Sequence, residues 1–276
     1  MSARFDGEFA LEGVSFRLDH GEMIAITGAS GSGKSVLLRL AIGLLRPDEG
    51  QVLVEGREIE QLSEDELLDL RCRSMGMVFQ EQSLFTGVSV YENTAYRLEE
   101  LGWPEEKIDQ SVSEILEFVG LLEDIDKLPE ELSIGMGRRL EFARALVGWP
   151  SIMLFDEATA GLDPINSRNI VDLVIRARDV HKVSSIYVTK ELHELAYLGG
   201  HRAVEAADGG VAIVKADTPL LVMVLDQGRI AFCGTPAEFE SSELPAVTNL
   251  TRLSFSAPFT DRSVKDPWAH THGRKG

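Results

Sequence analysis

Hydrophobic positions along the chain fall into two alternating textures. Short apolar runs occur at 22–27, 76–79, 152–155 and 185–189, the last of them Ser-Ile-Tyr-Val-Thr, rich in β-branched and aromatic residues. Each reads as a strand buried on both faces. Apolar residues recur with helical spacing between them, at 35–45, 64–73, 163–181 and 191–198. Strands alternating with helices predict a parallel sheet. From about 81 to 144 the strand runs stop and only helical patterns remain, around 90–101, 105–119 and 136–148. That stretch predicts a helical subdomain inserted into an α/β core. Beyond Gly199 the segments 211–216, 220–226 and 229–233 are strand-like, separated by turn residues such as Asp217-Thr218-Pro219 and Gln227-Gly228, and predict antiparallel strands. From about 243 no strong period survives, and Pro245, Pro258 and Pro267 punctuate a tail with little core of its own.

Composition narrows the class. The 276 residues are 44% hydrophobic and 26% charged, which is globular rather than disordered or fibrous. With 27 Lys and Arg against 45 Asp and Glu the net charge is −18, which argues against a sequence-independent nucleic-acid binder but leaves room for a local phosphate site. Cys72 and Cys233 show no paired spacing, so two buried thiols in a reducing compartment are expected. The best apolar window, 36–45, is broken by Arg39 and falls short of the ~18 residues that span a bilayer. Arg4, Asp6 and Glu8 leave no signal-peptide core at the N-terminus, and a cytoplasmic location is the expectation.

The chemistry begins at Gly28-Ala29-Ser30-Gly31-Ser32-Gly33-Lys34-Ser35, which fits the phosphate-loop pattern GxxxxGK[ST] and sits between a strand and a helix, where that mechanism requires it. Glycines let backbone amides of residues 31 to 35 turn inward around phosphates, Lys34 adds a point charge, and the Ser35 hydroxyl can ligate Mg2+. The strand at 152–155 ends in Asp156 and Glu157, a pattern that sets Asp156 in the Mg2+ shell and lets Glu157 polarise the water that attacks a γ-phosphate.

Leu132-Ser133-Ile134-Gly135-Met136, with Arg138-Arg139 and Ala143-Arg144-Ala145-Leu146 after it, resembles the signature motif of ABC-type ATPases. Other elements of that family fall in order: Gln80 after Val78-Phe79, then Ala160-Gly161-Leu162-Asp163. The resemblance runs from about residue 5 to 239. It implies a RecA-like P-loop core with an antiparallel β element at 1–80 and 145–242, the helical signature subdomain at 81–144, and a C-terminal tail at 243–276. It implies ATP and Mg2+ as cofactors, with Gln80 in the metal shell, Asp163 beside the nucleotide, and Phe5, with Phe9 as its competitor, stacking on adenine. It further implies a head-to-tail homodimer in which Ser133 and Gly135 complete the second copy's ATP site. Two positions depart from the family pattern. Ile134 replaces a glycine, and Lys190, after Tyr187-Val188-Thr189, replaces a histidine and becomes a γ-phosphate sensor of different geometry.

Met136 in the signature is similar to the ATPases of Mce or Mla-type phospholipid transporters, as are Gln82-Ser83-Leu84-Phe85-Thr86, Val90-Tyr91-Glu92-Asn93-Thr94-Ala95-Tyr96 and Glu243-Leu244-Pro245-Ala246-Val247. That resemblance implies a peripheral ATPase on the cytoplasmic face of the membrane, docked on an integral permease with an Mce-domain protein and a small accessory subunit. Two alternatives stand beside it. One is the ATPase of another ABC importer or exporter; the other is an ATP-gated dimerising clamp whose hydrolysis is impaired by Ile134 and Lys190. The stretch 200–219 reads as an inserted hairpin.

Overall fold

The computed structural model describes residues 1–5, 8–81, 83–206 and 210–253. In chain order, β1 (Ala3–Phe5) and β2 (Glu8–Leu11) form a hairpin, followed by β3 (Met23–Thr27), α1 (Lys34–Ala41), β4 (Leu53–Val54), β5 (Arg57–Glu58), α2 (Glu64–Ser74) and β6 (Met75–Val78). Three helices come next, α3 (Val90–Glu100), α4 (Glu105–Val119) and α5 (Ile134–Leu146). The chain then alternates through β7 (Ile152–Asp156), α6 (Pro164–Asp179), β8 (Ser184–Val188) and α7 (Leu192–Gly200). It closes with β9 (His201–Glu205), β10 (Val211–Lys215), β11 (Leu220–Asp226), β12 (Arg229–Gly234), α8 (Pro236–Glu240) and α9 (Pro245–Leu253).

The central sheet has six strands in the order β12-β11-β3-β8-β7-β6, parallel throughout except for β12. Side chains alternate strictly between its faces. Met23, Ala25, Met153, Phe155, Tyr187, Val222 and Val224 join the core under α3 to α7, while Ile24, Ile26, Leu154, Ile186, Val188, Met223 and Leu225 join the one under α1 and α2. Because both faces are covered, these strands read in sequence as unbroken apolar runs rather than as alternation. Local signals set the helix starts: Ser63 and Ser89 form capping boxes with Glu66 and Glu92, and Asp163 caps α6.

Several expectations need correction. The helix after the glycine loop stops at Ala41 rather than 45, because Gly43 turns the chain at φ 73. The segment at 220–226 is antiparallel only to β12, and its other edge runs parallel to β3 inside the main sheet. The stretch from 243 carries a helix, α9, with Val247 buried against the core; its period is short, and the prolines masked it. Neither cysteine is buried: Cys72 is half-buried and Cys233 exposed. The hairpin at 200–219 does form, as β9 and β10, and is tied to the end of α6 by Arg178 donating to the His201 carbonyl at 2.8 Å and by the Ala203 amide donating to Asp179 at 2.7 Å. Residues 254–276 of the expected tail, and Gln82, lie outside the described residues.

The edge strand β6 packs so closely on α5 and its neighbour β7 that a Cβ on Gly76 would stand 2.2 Å from the Ala145 carbonyl oxygen of α5 and 2.4 Å from the Met153 sulfur of β7. Gly76→Ala is therefore expected to cost about 1–3 kcal/mol of stability through overpacking, measured by denaturant unfolding of the full chain.

Candidate nucleotide site

The site is assembled by register. Ile26 of β3 pairs with Val188 of β8, and Val188 with Asp156 of β7, so three adjacent parallel strands end together. Their following loops carry the glycine run, Lys190, and Glu157. Phe79 and Gln80 follow β6, whose Val78 is level with Phe155. Ligands of open α/β sheets bind at this carboxyl edge.

Within the glycine loop, two residues admit no side chain. A Cβ on Gly28 would lie 2.2 Å from the Leu225 carbonyl oxygen, and one on Gly33, at φ 102, would lie 2.5 Å from the Ala10 carbonyl oxygen. Lys34 opens α1 and is buried, its ammonium donating to the Gly28 and Ala29 carbonyls at 2.8 and 2.9 Å. Burial pushes its pKa down, opposed by the nearby Glu157 and reinforced by Lys190. The Ser35 hydroxyl donates to Asp156 Oδ1 at 3.2 Å. Burial holds the Asp156 carboxyl above its usual range, with the Ser35 bond pulling the other way. Ser32 Oγ is buried without a hydrogen-bond partner, a donor left for an anion in the loop. Ser30 and Gly31 are exposed at the loop's crest. A buried cation, an orphaned hydroxyl and a hydroxyl–carboxylate pair fit a phosphate with a hard divalent cation.

Glu157 takes the left-handed region at φ 48. Its carboxylate meets the Lys190 ammonium at 2.8 Å from Oε1 and 3.0 Å from Oε2. The residue expected to sense a phosphate is thus engaged by the residue expected to act as base. Gln80 is exposed, with its carbonyl held by Arg138 at 3.0 Å. Ser133 caps α5, its hydroxyl accepting from the Met136 amide at 3.3 Å. Gly135 is buried against α6, where a Cβ would fall 2.3 Å from Asn166 Oδ1. Asp163 accepts from the Ile165 and Asn166 amides and from Asn166 Nδ2 at 2.5–3.1 Å, and the Asn166 bonds, chief among them the side-chain one, hold its carboxyl low. The contacts of Ser133, Gly135 and Asp163 are thus with α5 and α6, whereas Lys34, Ser35, Asp156, Glu157 and Lys190 form one cluster. Ile134 points outward at 70% exposure and does not crowd the local backbone. Phe5 and Phe9 lie on β1 and β2, with Arg4 opposite Phe9 and Phe5 opposite Glu8; their side chains lie outside the described residues.

One buried polar network was not read from the sequence, although Arg138 and Arg144 stand in the signature stretch. Arg138 donates to the Phe79 carbonyl at 2.9 Å and to Glu141 at 2.8 Å; Glu141 accepts from the Ser83 amide, and Arg144 clasps the Ser83 carbonyl and hydroxyl, each at 2.6 Å. Burial raises the Glu141 pKa. The helix that starts at the signature therefore grips the backbone on both sides of Gln80. In sequence Arg138 and Glu141 are only an i,i+3 pair, the usual mark of a solvated surface.

Since ionised Asp156 is disfavoured by its burial, Asp156→Asn is expected to leave the melting temperature unchanged or raised. It should also weaken Mg2+-dependent nucleotide binding at least ~10-fold. Thermal unfolding beside ATP titration with and without Mg2+ checks both halves.

Residues 11–160 match the ABC transporter family. The methionine import ATP-binding protein MetN of Leifsonia xyli subsp. xyli is 40% identical over 248 residues, covering 90% of this chain and 66% of that protein. The glycine betaine/carnitine transport ATP-binding protein GbuA of Listeria monocytogenes is 35% identical over 225 residues, covering 82% and 52%. The chain spans about half to two thirds of the length of these curated relatives. Among solved structures, cbiO1 from Clostridium perfringens, part of the cbiONQ ABC transporter complex, superposes with a TM-score of 0.74 at 27% identity, covering 91% of this chain and 96% of that one. The dimeric post-hydrolysis state of the ATP-binding cassette MJ0796, bound to ADP and Pi, gives 0.70 at 25% identity, covering 85% and 95%. The chain belongs to the ABC transporter family: it is an ATP-binding cassette, of a family whose cassettes take ATP with Mg2+.

Proposed function

We propose that this chain is the ATP-hydrolysing subunit of an ABC transporter, acting as a head-to-tail homodimer on the cytoplasmic face of a separate integral permease. The observation that carries the reading is the meeting of Lys34, Ser35, Asp156 and Glu157 at one sheet edge. Loop amides around Gly28, Ser30, Gly31, Ser32 and Gly33 receive the phosphates, and Lys34 gives up its loop carbonyls to them. Ser35, Asp156 and Gln80 would hold Mg2+, which supplies neutralisation of phosphate charge. Glu157 takes the proton of the attacking water. Ser133 and Gly135 of one copy close over the nucleotide of the other, with Asp163 at the same seam and Phe5 against adenine. The MJ0796 cassette, itself dimeric with ADP and Pi, supports this arrangement.

Among the described residues no helix is long and apolar enough to cross a membrane, so the reading needs a separate permease. The cargo has two readings. Import of a small solute is supported by the methionine and betaine transport relatives. Phospholipid transport with an Mce-domain partner and a small accessory subunit rests on Met136 and the stretch at 90–96. Stimulation of the purified transporter's ATPase by methionine or betaine, against stimulation by phospholipid, separates them.

The Glu157–Lys190 contact favours a second reading of the tempo, a cassette that clamps on ATP and turns over slowly, because the ammonium occupies both carboxylate oxygens that would otherwise face the attacking water. Two outcomes follow. Glu157→Gln retains ATP binding but loses turnover by at least ~100-fold, read by phosphate release. In the same assay Lys190→His raises turnover by up to about fivefold, the scale of one partly exposed ion pair.

A further inference from the structure

Behind the site lies a titratable group that the proposed chemistry does not use. Glu194, in the first turn of α7, is fully buried. Three hydroxyls converge on its carboxylate: Thr159 donates to Oε1 at 2.6 Å, and Thr189 and Tyr187 donate to Oε2 at 2.6 and 2.9 Å. Thr159 stands two residues after Glu157, and Thr189 stands immediately before Lys190.

The position of this knot matters because the backbone ladder ends there. The pairing of β7 with β8 stops at Asp156 and Val188, and one further bond, from the Glu157 amide to the Val188 carbonyl at 3.0 Å, is made by a residue in the left-handed region. Past that point Glu194 takes over from the ladder, bonding one hydroxyl from each departing loop and a third, Tyr187, from β8. A buried carboxylate is a costly filler, and an apolar side chain could tie neither threonine.

We infer that Glu194 is a positioning residue for hydrolysis, which fixes the loop carrying Glu157 against the loop carrying Lys190 and so sets how the two face each other. The inference rests on the reading of Glu157 as the base. It predicts that cutting the tie on one loop loosens the other.

The test uses the full chain with Thr159→Val, Thr189→Val, Glu194→Gln and Glu194→Ala. Thr159→Val is the cleaner single cut, because Thr189 also accepts from the Glu191 amide. Hydrogen exchange is expected to rise in 189–192 for Thr159→Val and in 157–161 for Thr189→Val. With ATP affinity kept within about twofold, kcat falls about tenfold in each, the scale of a misplaced reacting group. Thr159→Val should have no further effect in Glu194→Ala. Glu194→Gln, which can accept from Tyr187 and Thr189 and donate to Thr159, keeps most of the activity. Exchange confined to the substituted segment, additive losses of kcat, or losses in ATP affinity alone would overturn the inference. Glu157→Gln in parallel separates the two failures: if it still turns over, the reading of the base is wrong, and if it does not while the hub variants behave as wild type, only the inference fails. Should wild type show no turnover, the exchange data decide.

Discussion

The parallel pairing of β3, β8 and β7 is the constraint on which the site depends. Each strand contributes five residues, and the register brings Thr27, Val188 and Asp156 to one edge. A slip of one residue on any of them would turn its side chains to the opposite face and carry its terminal residue away from the cluster. Burial on both faces prevents that slip, since Ile26, Phe155 and Tyr187 would each leave a filled layer. The two cores therefore stabilise the fold and align the chemistry by the same contacts.

Electrostatics at this edge run against the rest of the molecule. A chain of net charge −18 collects Lys34 and Lys190 at the mouth of one glycine loop and balances them with Asp156 and Glu157. Lys34 is satisfied by loop carbonyls and Lys190 by a carboxylate, so neither cation is left bare, and an anion must displace one set of partners to enter. The packing of Gly135 on Asn166 lies elsewhere, at the N-terminal turns of α5 and α6. There the exposed Ile134 and Ile165 give the surface an apolar character that a glycine at 134 would not. The Arg138, Glu141 and Arg144 cluster joins that surface to the loop of Gln80.

What was legible in the sequence follows from period and spacing. The strands of the parallel sheet and the helices between them were readable because full burial writes itself as apolar runs and as 3.6-residue periods. The glycine loop, Asp156 and Glu157 were readable because their chemistry fixes residue type at fixed spacing. The β1–β2 hairpin and the two-residue strands β4 and β5 were not, being too short to hold a period. Glu194 was hidden for another reason: in Lys190-Glu191-Leu192-His193-Glu194 it looks like one more charged residue at an exposed helix start, and only the fold reveals three hydroxyls around it. The Lys190 contact with Glu157 spans 33 positions, beyond any local pattern.

The most direct test of the account is an equilibrium titration of the full chain with MgATP, wild type beside Lys34→Ala. The account predicts saturable binding in wild type and a loss of at least ~10-fold in affinity in the variant, as expected when one charge-assisted phosphate contact is removed. Equal affinity in the two proteins would contradict it, because the nucleotide would then lie somewhere other than the carboxyl edge of β3, β8 and β7.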